Sequence, residues 1–114
     1  MSHRLVTSRE NPQYKFLKQL AGSAQARRKA GQTLLDGVHL CEAWLQQKGA
    51  PALCVVSEHA ATHPEVARIL AACSKLGADG MTLPDALFAP LSQVEHGINL
   101  LFVIDTPTPA VSRI

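Results

Sequence analysis

The sequence predicts an α/β sandwich with a single sheet that is buried on both faces. Apolar runs of strand length alternate with amphipathic segments of helix length along nearly the whole chain. Two of the strand candidates, "PALCVVSE" and "GINLLFVID", are continuously apolar, as expected for strands covered on both faces. The chain has 114 residues, of which 46% are hydrophobic, and this length corresponds to one domain with one core.

The first predicted helix lies in "SRENPQYKFLKQLAG". Asn11 is an N-cap residue, Pro12 fits the first helical position, and Gly22 is suited to end the helix. Lys15 and Lys18 lie away from the apolar stripe, so we expect both to face solvent. The stripe consists of Tyr14, Leu17, Leu20 and Ala21.

The later elements continue the alternation of helices and strands. "SAQARRKAG" is predicted to be a second short helix or a turn that ends at Gly31. The elements that follow are a strand in "QTLLDG", a helix in "VHLCEAWLQQKG", a strand in "PALCVVSE", a helix in "THPEVARILAACSKLG", a strand in "ADGMTLP", a short helix in "DALFAPLSQ" that bends or ends near Pro90, and a strand in "GINLLFVID". The Pro-rich end, "TPTPAVSRI", has no periodicity and is typical of a linker.

Positive charge is concentrated at the start of the chain. Residues 1–30 carry a net charge of +6, whereas residues 31–114 carry −4. This asymmetry predicts one positive face suited to a polyanion, although a merely solvated basic surface has the same sequence pattern. Within this region "ARRKAG" places Arg27, Arg28 and Lys29 in succession, about 100° apart if helical, so that they would contact successive phosphates of a nucleic-acid backbone.

Few residues are candidates for contacts with RNA bases, and Asn11 and Tyr14 each have a structural role as an alternative. Asn11 serves either as the helix cap or as a reader of a base or ribose. Tyr14 either packs on the core or stacks on an unpaired base, and Phe16, which lies off the apolar stripe, is more open.

Motifs for catalysis or metal binding are lacking. The sequence has no Gly-rich phosphate loop, no HExxH and no CxxC. His59 and His63 have helical spacing, but Pro64 disfavours helical backbone at His63, so we do not expect them to share a helix face. An acid–base pair of Asp36 and Asp105 stays open, because an α/β fold is able to bring such residues close.

Three cysteines are spread widely along the chain, at Cys41, Cys54 and Cys73. Each lies among apolar residues, as a small hydrophobic side chain does. We expect buried, reduced thiols.

Three segments, "TSRENPQYKFLKQL", "ARRKAGQTLLDGVHLCEAWL" and "LFAPLSQVEHGINLLFVI", together resemble the N-terminal substrate-binding domain of SpoU-family RNA ribose 2′-O-methyltransferases. The resemblance extends from about Arg4 to Asp105. The matching positions are Ser8, Asn11, Pro12, Lys15, Arg27 or Arg28, Asp36, Gly37, Phe88, Leu91, Ser92, Gly97 and Ile98. The family usually has Glu where Asp36 stands, and often Pro-Gln where Glu95 and His96 stand.

The resemblance implies a three-layer α/β/α sandwich like that of ribosomal proteins that bind kink-turn RNA. It implies that residues 1–105 form an RNA substrate-binding domain, which holds tRNA or rRNA, and that residues 106–114 begin an interdomain linker. The catalytic knot domain, which would bind S-adenosylmethionine, is absent from this chain, so we expect this chain alone to hold no cofactor and no metal and to be non-catalytic. The expected RNA-binding residues are Arg9, Asn11, Lys15, Lys18, Arg27, Arg28 and Lys29.

Other interpretations remain open. The chain fits a stand-alone RNA-binding protein of the same fold, a small enzyme or ligand-binding domain with a pocket at the strand ends, or a dimerisation module. A homodimer formed through the full-length enzyme is a further expectation. The start of the chain lacks the apolar core of a secretory signal, and no apolar run approaches the ~20 residues that span a bilayer. We therefore expect a cytoplasmic protein without membrane contact.

Overall fold

A computed structural model describes residues 3–92 and 98–106 of the chain. Its elements, in chain order, are β1 (His3–Leu5), α1 (Pro12–Gly22), α2 (Ala24–Ala30), β2 (Gln32–Asp36), α3 (Val38–Gln47), β3 (Leu53–Ser57), α4 (Pro64–Lys75), β4 (Asp79–Leu83), α5 (Asp85–Phe88) and β5 (Leu100–Asp105). Short 3₁₀ turns occupy Ala60–Thr62 and Ala89–Leu91. The predicted alternation of helices and strands is confirmed, and β1 is an additional strand that the sequence pattern did not predict.

The five strands form one mixed sheet in the order β1-β4-β3-β5-β2. Strand β4 runs parallel to both of its neighbours, β1 and β3, whereas β5 runs antiparallel to β3 and β2. The last of the described strands, β5, therefore lies inside the sheet, and β2 forms one edge of it.

The side chains of the sheet alternate between two buried faces, which gives three layers. One face contributes Val55, Met81, Leu83, Leu101 and Val103, and these pack against α1, α5 and the turn that follows α5. The other face contributes Cys54, Val56, Leu100, Phe102 and Ile104, and these pack against α3 and α4. Each large apolar side chain that is fully buried in this way stabilises the fold by roughly 1.5–3 kcal/mol. The predicted α/β/α sandwich is thus the observed architecture.

The register of β2 and β5 rules out the acid–base pair that the sequence left open. Asp36 lies opposite Leu101, whereas Asp105 lies opposite Gln32, at the other end of the strand pair. Four residue steps along a strand separate the two carboxylates by roughly 13 Å. The interpretation of Asp36 and Asp105 as partners is therefore wrong.

Two smaller predictions are confirmed. All three cysteines are buried and free of disulfides. His59 precedes the 3₁₀ turn, whereas His63 has extended backbone before α4, so the two histidines do not share a helix face.

Part of the resemblance falls on residues that the structure leaves out. Glu95, His96 and Gly97 lie outside the described residues, as does the expected linker from residue 107 onward. Thr106 is described, and its backbone N–H donates to the Gly31 carbonyl oxygen at 2.9 Å. None of the described helices is long and apolar enough to cross a membrane.

Candidate nucleic-acid interface

Helix α1 begins at a side-chain cap, as predicted. Asn11 Oδ1 accepts hydrogen bonds from the backbone N–H groups of Gln13 at 2.9 Å and Tyr14 at 3.1 Å, and Pro12 follows at the first helical position. These bonds satisfy two of the N–H groups that a helix start otherwise leaves unpaired. The helix then buries Tyr14, Leu17 and Leu20 against the sheet. This burial fixes which side of α1 faces solvent.

The solvent side of α1 carries two lysines, and Arg9 precedes it. Lys15, Lys18 and Arg9 are all exposed. Lys15 Nζ lies 3.1 Å from Glu10 Oε1, with the two side chains 57% and 83% exposed. An ion pair this open is worth little, because water and salt screen it. Lys15 is therefore available to a phosphate, with Glu10 as a weak competitor.

Helix α2 follows at once and ends at Gly31, whose φ of 69° is the left-handed conformation that favours glycine. Ser23 Oγ caps its start by accepting from the Ala26 N–H at 3.1 Å. Arg28 and Lys29 are exposed in its last turn, where the helix dipole favours positive charge. The short helix that the sequence left as one of two alternatives is thus the observed structure.

Arg27 differs from its two basic neighbours. It is half-buried, and its Nη1 donates to the Leu20 carbonyl oxygen at 2.6 Å, at the end of α1. A charged donor on a terminal helix carbonyl is a strong hydrogen bond. Arg27 therefore links α2 to α1 through this hydrogen bond, and its half-exposed guanidinium lies at the junction of the two helices.

Two aromatic side chains were candidates for stacking on bases, and the structure separates them. Tyr14 is 1% exposed, and its hydroxyl donates to the Leu87 carbonyl oxygen at 2.7 Å. Burial raises the pKa of Tyr14, while the nearby Arg9 opposes the shift. Stacking by Tyr14 is therefore wrong for this fold. Phe16 is 38% exposed and remains open to contact.

One exposed basic residue near the expected site was not among the predicted RNA-binding residues. Arg4, in β1, is exposed, and its Nη1 donates to Gln13 Oε1 on α1 at 2.8 Å. This contact puts Arg4 beside the first turn of α1, close to the expected site. The concentration of charge in residues 1–30 was the signal that included it.

An open cleft of about 370 Å³ lies beside this helical layer, at the β2 edge of the sheet. Its lining residues are Leu20, Ala21, Arg27, Thr33, Leu34, Asp36 and Leu91. Asp36 Oδ2 accepts a hydrogen bond from Ser92 Oγ at 2.9 Å, and the Gly37 N–H donates to the Leu100 carbonyl oxygen at 2.9 Å. Two of the segments that carried the resemblance, around Asp36-Gly37 and Ser92, thus meet in the fold.

The seven expected RNA-binding residues belong to one stretch of the structure. Five of them are exposed (Arg9, Lys15, Lys18, Arg28 and Lys29), and two are half-buried (Asn11 and Arg27). Helices α1 and α2 contact each other, and both contact β2. The five exposed basic residues therefore lie on or beside one pair of packed helices. Within the described residues, no group of three or more His, Cys, Asp or Glu side chains is placed to hold a metal ion.

Comparisons with known proteins identify the fold. No protein-family model matches the sequence, and no curated protein matches it significantly. Among solved structures, an rRNA methyltransferase from Sinorhizobium meliloti aligns with a TM-score of 0.74 and 15% identity, over 92% of this chain and 38% of its own. An RNA 2′-O ribose methyltransferase aligns with a TM-score of 0.74 and 21% identity, over 96% of this chain and 40% of its own. The SpoU methyltransferase AviRb from Streptomyces viridochromogenes, in complex with AdoMet, aligns with a TM-score of 0.72 and 16% identity, over 90% of this chain and 38% of its own.

The chain shares its fold with SpoU RNA methyltransferases. It spans about two fifths of the length of these structures. Identities of 15% to 21% establish the fold alone. The mixed five-stranded sheet with helices on both faces is therefore a fold found in these enzymes, and it matches the sandwich predicted from sequence.

Proposed function

We propose that this chain is the RNA substrate-binding domain of an S-adenosylmethionine-dependent RNA ribose 2′-O-methyltransferase. In this proposal it holds tRNA or rRNA for a catalytic domain that lies elsewhere in the enzyme. The observation that carries the proposal is the fold similarity, which covers 90% to 96% of this chain but only 38% to 40% of each RNA methyltransferase. A part of this size corresponds to one domain of a larger enzyme.

The placement of positive charge supports RNA as the ligand. Five exposed basic residues are carried by α1, α2 and the segment before α1, whereas residues 31–114 have a net charge of −4. A polyanion would therefore be attracted to the helical layer of α1 and α2 and repelled by much of the remaining surface. Arg28 and Lys29 would contact phosphates directly, Arg28 through its planar fork and Lys29 as a point charge.

The half-buried members of the site would contribute differently. Arg27 would hold α2 in place through Leu20 and offer the donors that this bond does not use. Asn11 uses Oδ1 for the cap, so Nδ2 is the atom that would donate to RNA. Phe16 would supply an aromatic surface for an unpaired base.

Catalysis and cofactor binding would belong to another part of the enzyme. The methyltransferases from S. meliloti and S. viridochromogenes bind AdoMet. This chain covers 37% and 38% of these two enzymes, and we place AdoMet binding in the part that it does not cover. We therefore assign this chain RNA contacts alone, in a cytoplasmic enzyme.

Binding of labelled tRNA and of an rRNA fragment, measured by fluorescence anisotropy at several salt concentrations, tests the proposal. If three to five phosphates are contacted, log K should fall with log salt with a slope of about −2 to −3.5 for single-stranded RNA. If the folded chain binds neither RNA at low salt, the proposal that the surface of α1 and α2 binds RNA is contradicted. A stop codon directly after Ile114 in the reading frame would instead favour the stand-alone RNA-binding protein.

A further inference from the structure

Three cysteines that are far apart in the sequence converge on the face of the sheet opposite the basic helices. Cys41 lies in α3, Cys54 in β3 and Cys73 in α4, and all three belong to the same buried cluster. Cys54 is 1% exposed and Cys73 is 3% exposed. The proposed RNA function uses none of these thiols.

A cavity of about 120 Å³ reaches two of the three thiols. It is lined by Cys54 and Cys73, together with His3, Ser74, Asp79 and Gly80 and two apolar residues of α4 and the loop after it. A single water needs roughly 10–15 Å³ of such space, so the cavity admits a molecule as small as hydrogen peroxide. Cys41 does not line it.

Gly80, which stands next to Cys54 in the sheet, also lines this cavity. Gly80 lies opposite both Cys54 on β3 and His3 on β1, so these three residues form a row across the strands. Gly80 has no side chain, and a Cβ atom there would collide with the His3 ring. His3 lies over Gly80 and is hydrogen-bonded to Thr82 Oγ1 at 2.6 Å through Nε2. The ring thus covers one side of the space from which the two thiols are reached.

The two thiols differ in acidity. A hydrogen bond from the Cys54 thiol lowers the pKa of Cys73, because it stabilises the thiolate. The same hydrogen bond, together with burial, raises the pKa of Cys54. Burial raises the pKa of Cys41 to about 12. The thiolate is the nucleophile in cysteine chemistry, and Cys73 is also the more exposed of the two thiols that line the cavity, at 3% against 1%, so we expect it to react first.

We propose that Cys54 and Cys73 form a dithiol that hydrogen peroxide oxidises to a disulfide, with Cys73 reacting first. The Cys73 sulfur attacks one peroxide oxygen, the O–O bond breaks, and the released hydroxide takes up a proton to leave as water. Cys73 is then a sulfenic acid. The Cys54 sulfur attacks the Cys73 sulfur, the S–O bond breaks, and the hydroxyl leaves with the Cys54 proton as a second water. Two thiols are oxidised by two electrons, and one peroxide is reduced to two waters.

The test is a thiol count on the whole chain after peroxide treatment in the folded state. The chain is quenched, unfolded and titrated with a thiol reagent, and its peptides are mapped by mass spectrometry. We expect the number of free thiols to fall from three to one, with a Cys54–Cys73 cross-link and Cys41 unmodified. The same peroxide dose applied in urea provides the reference in which every thiol is accessible.

Single substitutions separate the roles of the thiols. Cys41→Ala should still lose two thiols and form the same cross-link. Cys54→Ala should accumulate a sulfenic acid on Cys73 that dimedone traps, whereas Cys73→Ala should leave Cys54 reduced. Three thiols surviving in the folded chain at a dose that oxidises them in urea would overturn the proposal. A disulfide that involves Cys41, or one that joins two chains, would also overturn it, and both results come from the unmutated protein.

Discussion

The double substitution Arg28→Gln with Lys29→Gln should weaken RNA binding without unfolding the chain. Both side chains are exposed, and neither makes a hydrogen bond or an ion pair that the structure records within the described residues. Arg27, by contrast, bonds to Leu20, so its replacement would disturb the α1–α2 junction as well as the charge. Gln keeps much of the helix propensity of Arg and Lys, so helix formation in α2 changes little.

The size of the effect follows from counterion release. Each phosphate contact with single-stranded RNA adds about 0.7 to the salt slope, so losing two contacts reduces the slope by about 1.4. At 0.1 M salt this corresponds to an affinity about 25-fold weaker, or ~1.9 kcal/mol. The two charges also interact with the C-terminal end of the α2 dipole, at about 0.3–1 kcal/mol each. Unfolding of the double variant in urea should therefore show a modest loss of stability. The binding assay must be run under conditions in which the variant is fully folded.

The matched control replaces two exposed lysines in the other helical layer, which α3 and α4 form. Lys48 follows α3 and Lys75 lies in the last turn of α4, so Lys48→Gln with Lys75→Gln changes the net charge equally at comparable helix ends. Anisotropy titrations at four salt concentrations compare the three proteins. Equal loss of affinity and slope in both double variants would refute the reasoning, since net charge rather than the α2 surface would then govern binding.

Substitutions at three further positions test individual features of the structure. Asn11→Ala should lower the unfolding free energy by about 1 kcal/mol because it removes the α1 cap, whereas Asn11→Ser should keep the cap, so that a loss of RNA affinity in a stable Ser variant would assign Nδ2 to RNA. Tyr14→Phe should lower the unfolding free energy by about 0.5–1.5 kcal/mol, since it removes the buried hydrogen bond to the Leu87 carbonyl oxygen, and RNA affinity measured alongside should not change. Gly31→Ala should cost about 1–2 kcal/mol in urea unfolding because an L-residue resists the left-handed backbone at φ 69°, and an unchanged midpoint would contradict this account.

Much of the first helical layer was predictable because its signals are local. An N-cap, a proline at the first helical position and an apolar stripe determine α1 within a dozen residues. The buried strands were predictable for a related reason, since continuous apolar runs of this length have few other uses. The exposure of Lys15 and Lys18 was predictable as well, because neither belongs to the apolar stripe of α1.

Features that depend on how distant segments meet were beyond the sequence. Strand β1 has three residues, all exposed, and is held by backbone pairing with β4 rather than by a pattern of its own. The bond of Arg27 to the Leu20 carbonyl depends on the angle between two helices, and no local signal encodes that angle. The same holds for the meeting of Cys54 and Cys73, which follows from the packing of α4 on β3.

The position of β5 in the sheet has a consequence for how the chain acquires its structure during synthesis. Among the described strands, β2 pairs with β5 alone, and the paired residues Gln32 and Asp105 are 73 positions apart. Closing so long a loop is slow, because the chain loses conformational entropy before the contact between β2 and β5 can stabilise it. A nascent chain emerges from the ribosome N-terminus first, so β2 gains its partner only after the residues up to Asp105 have been synthesised. The basic helices α1 and α2, which contact β2, are thus synthesised well before the strand that pairs with β2 leaves the ribosome.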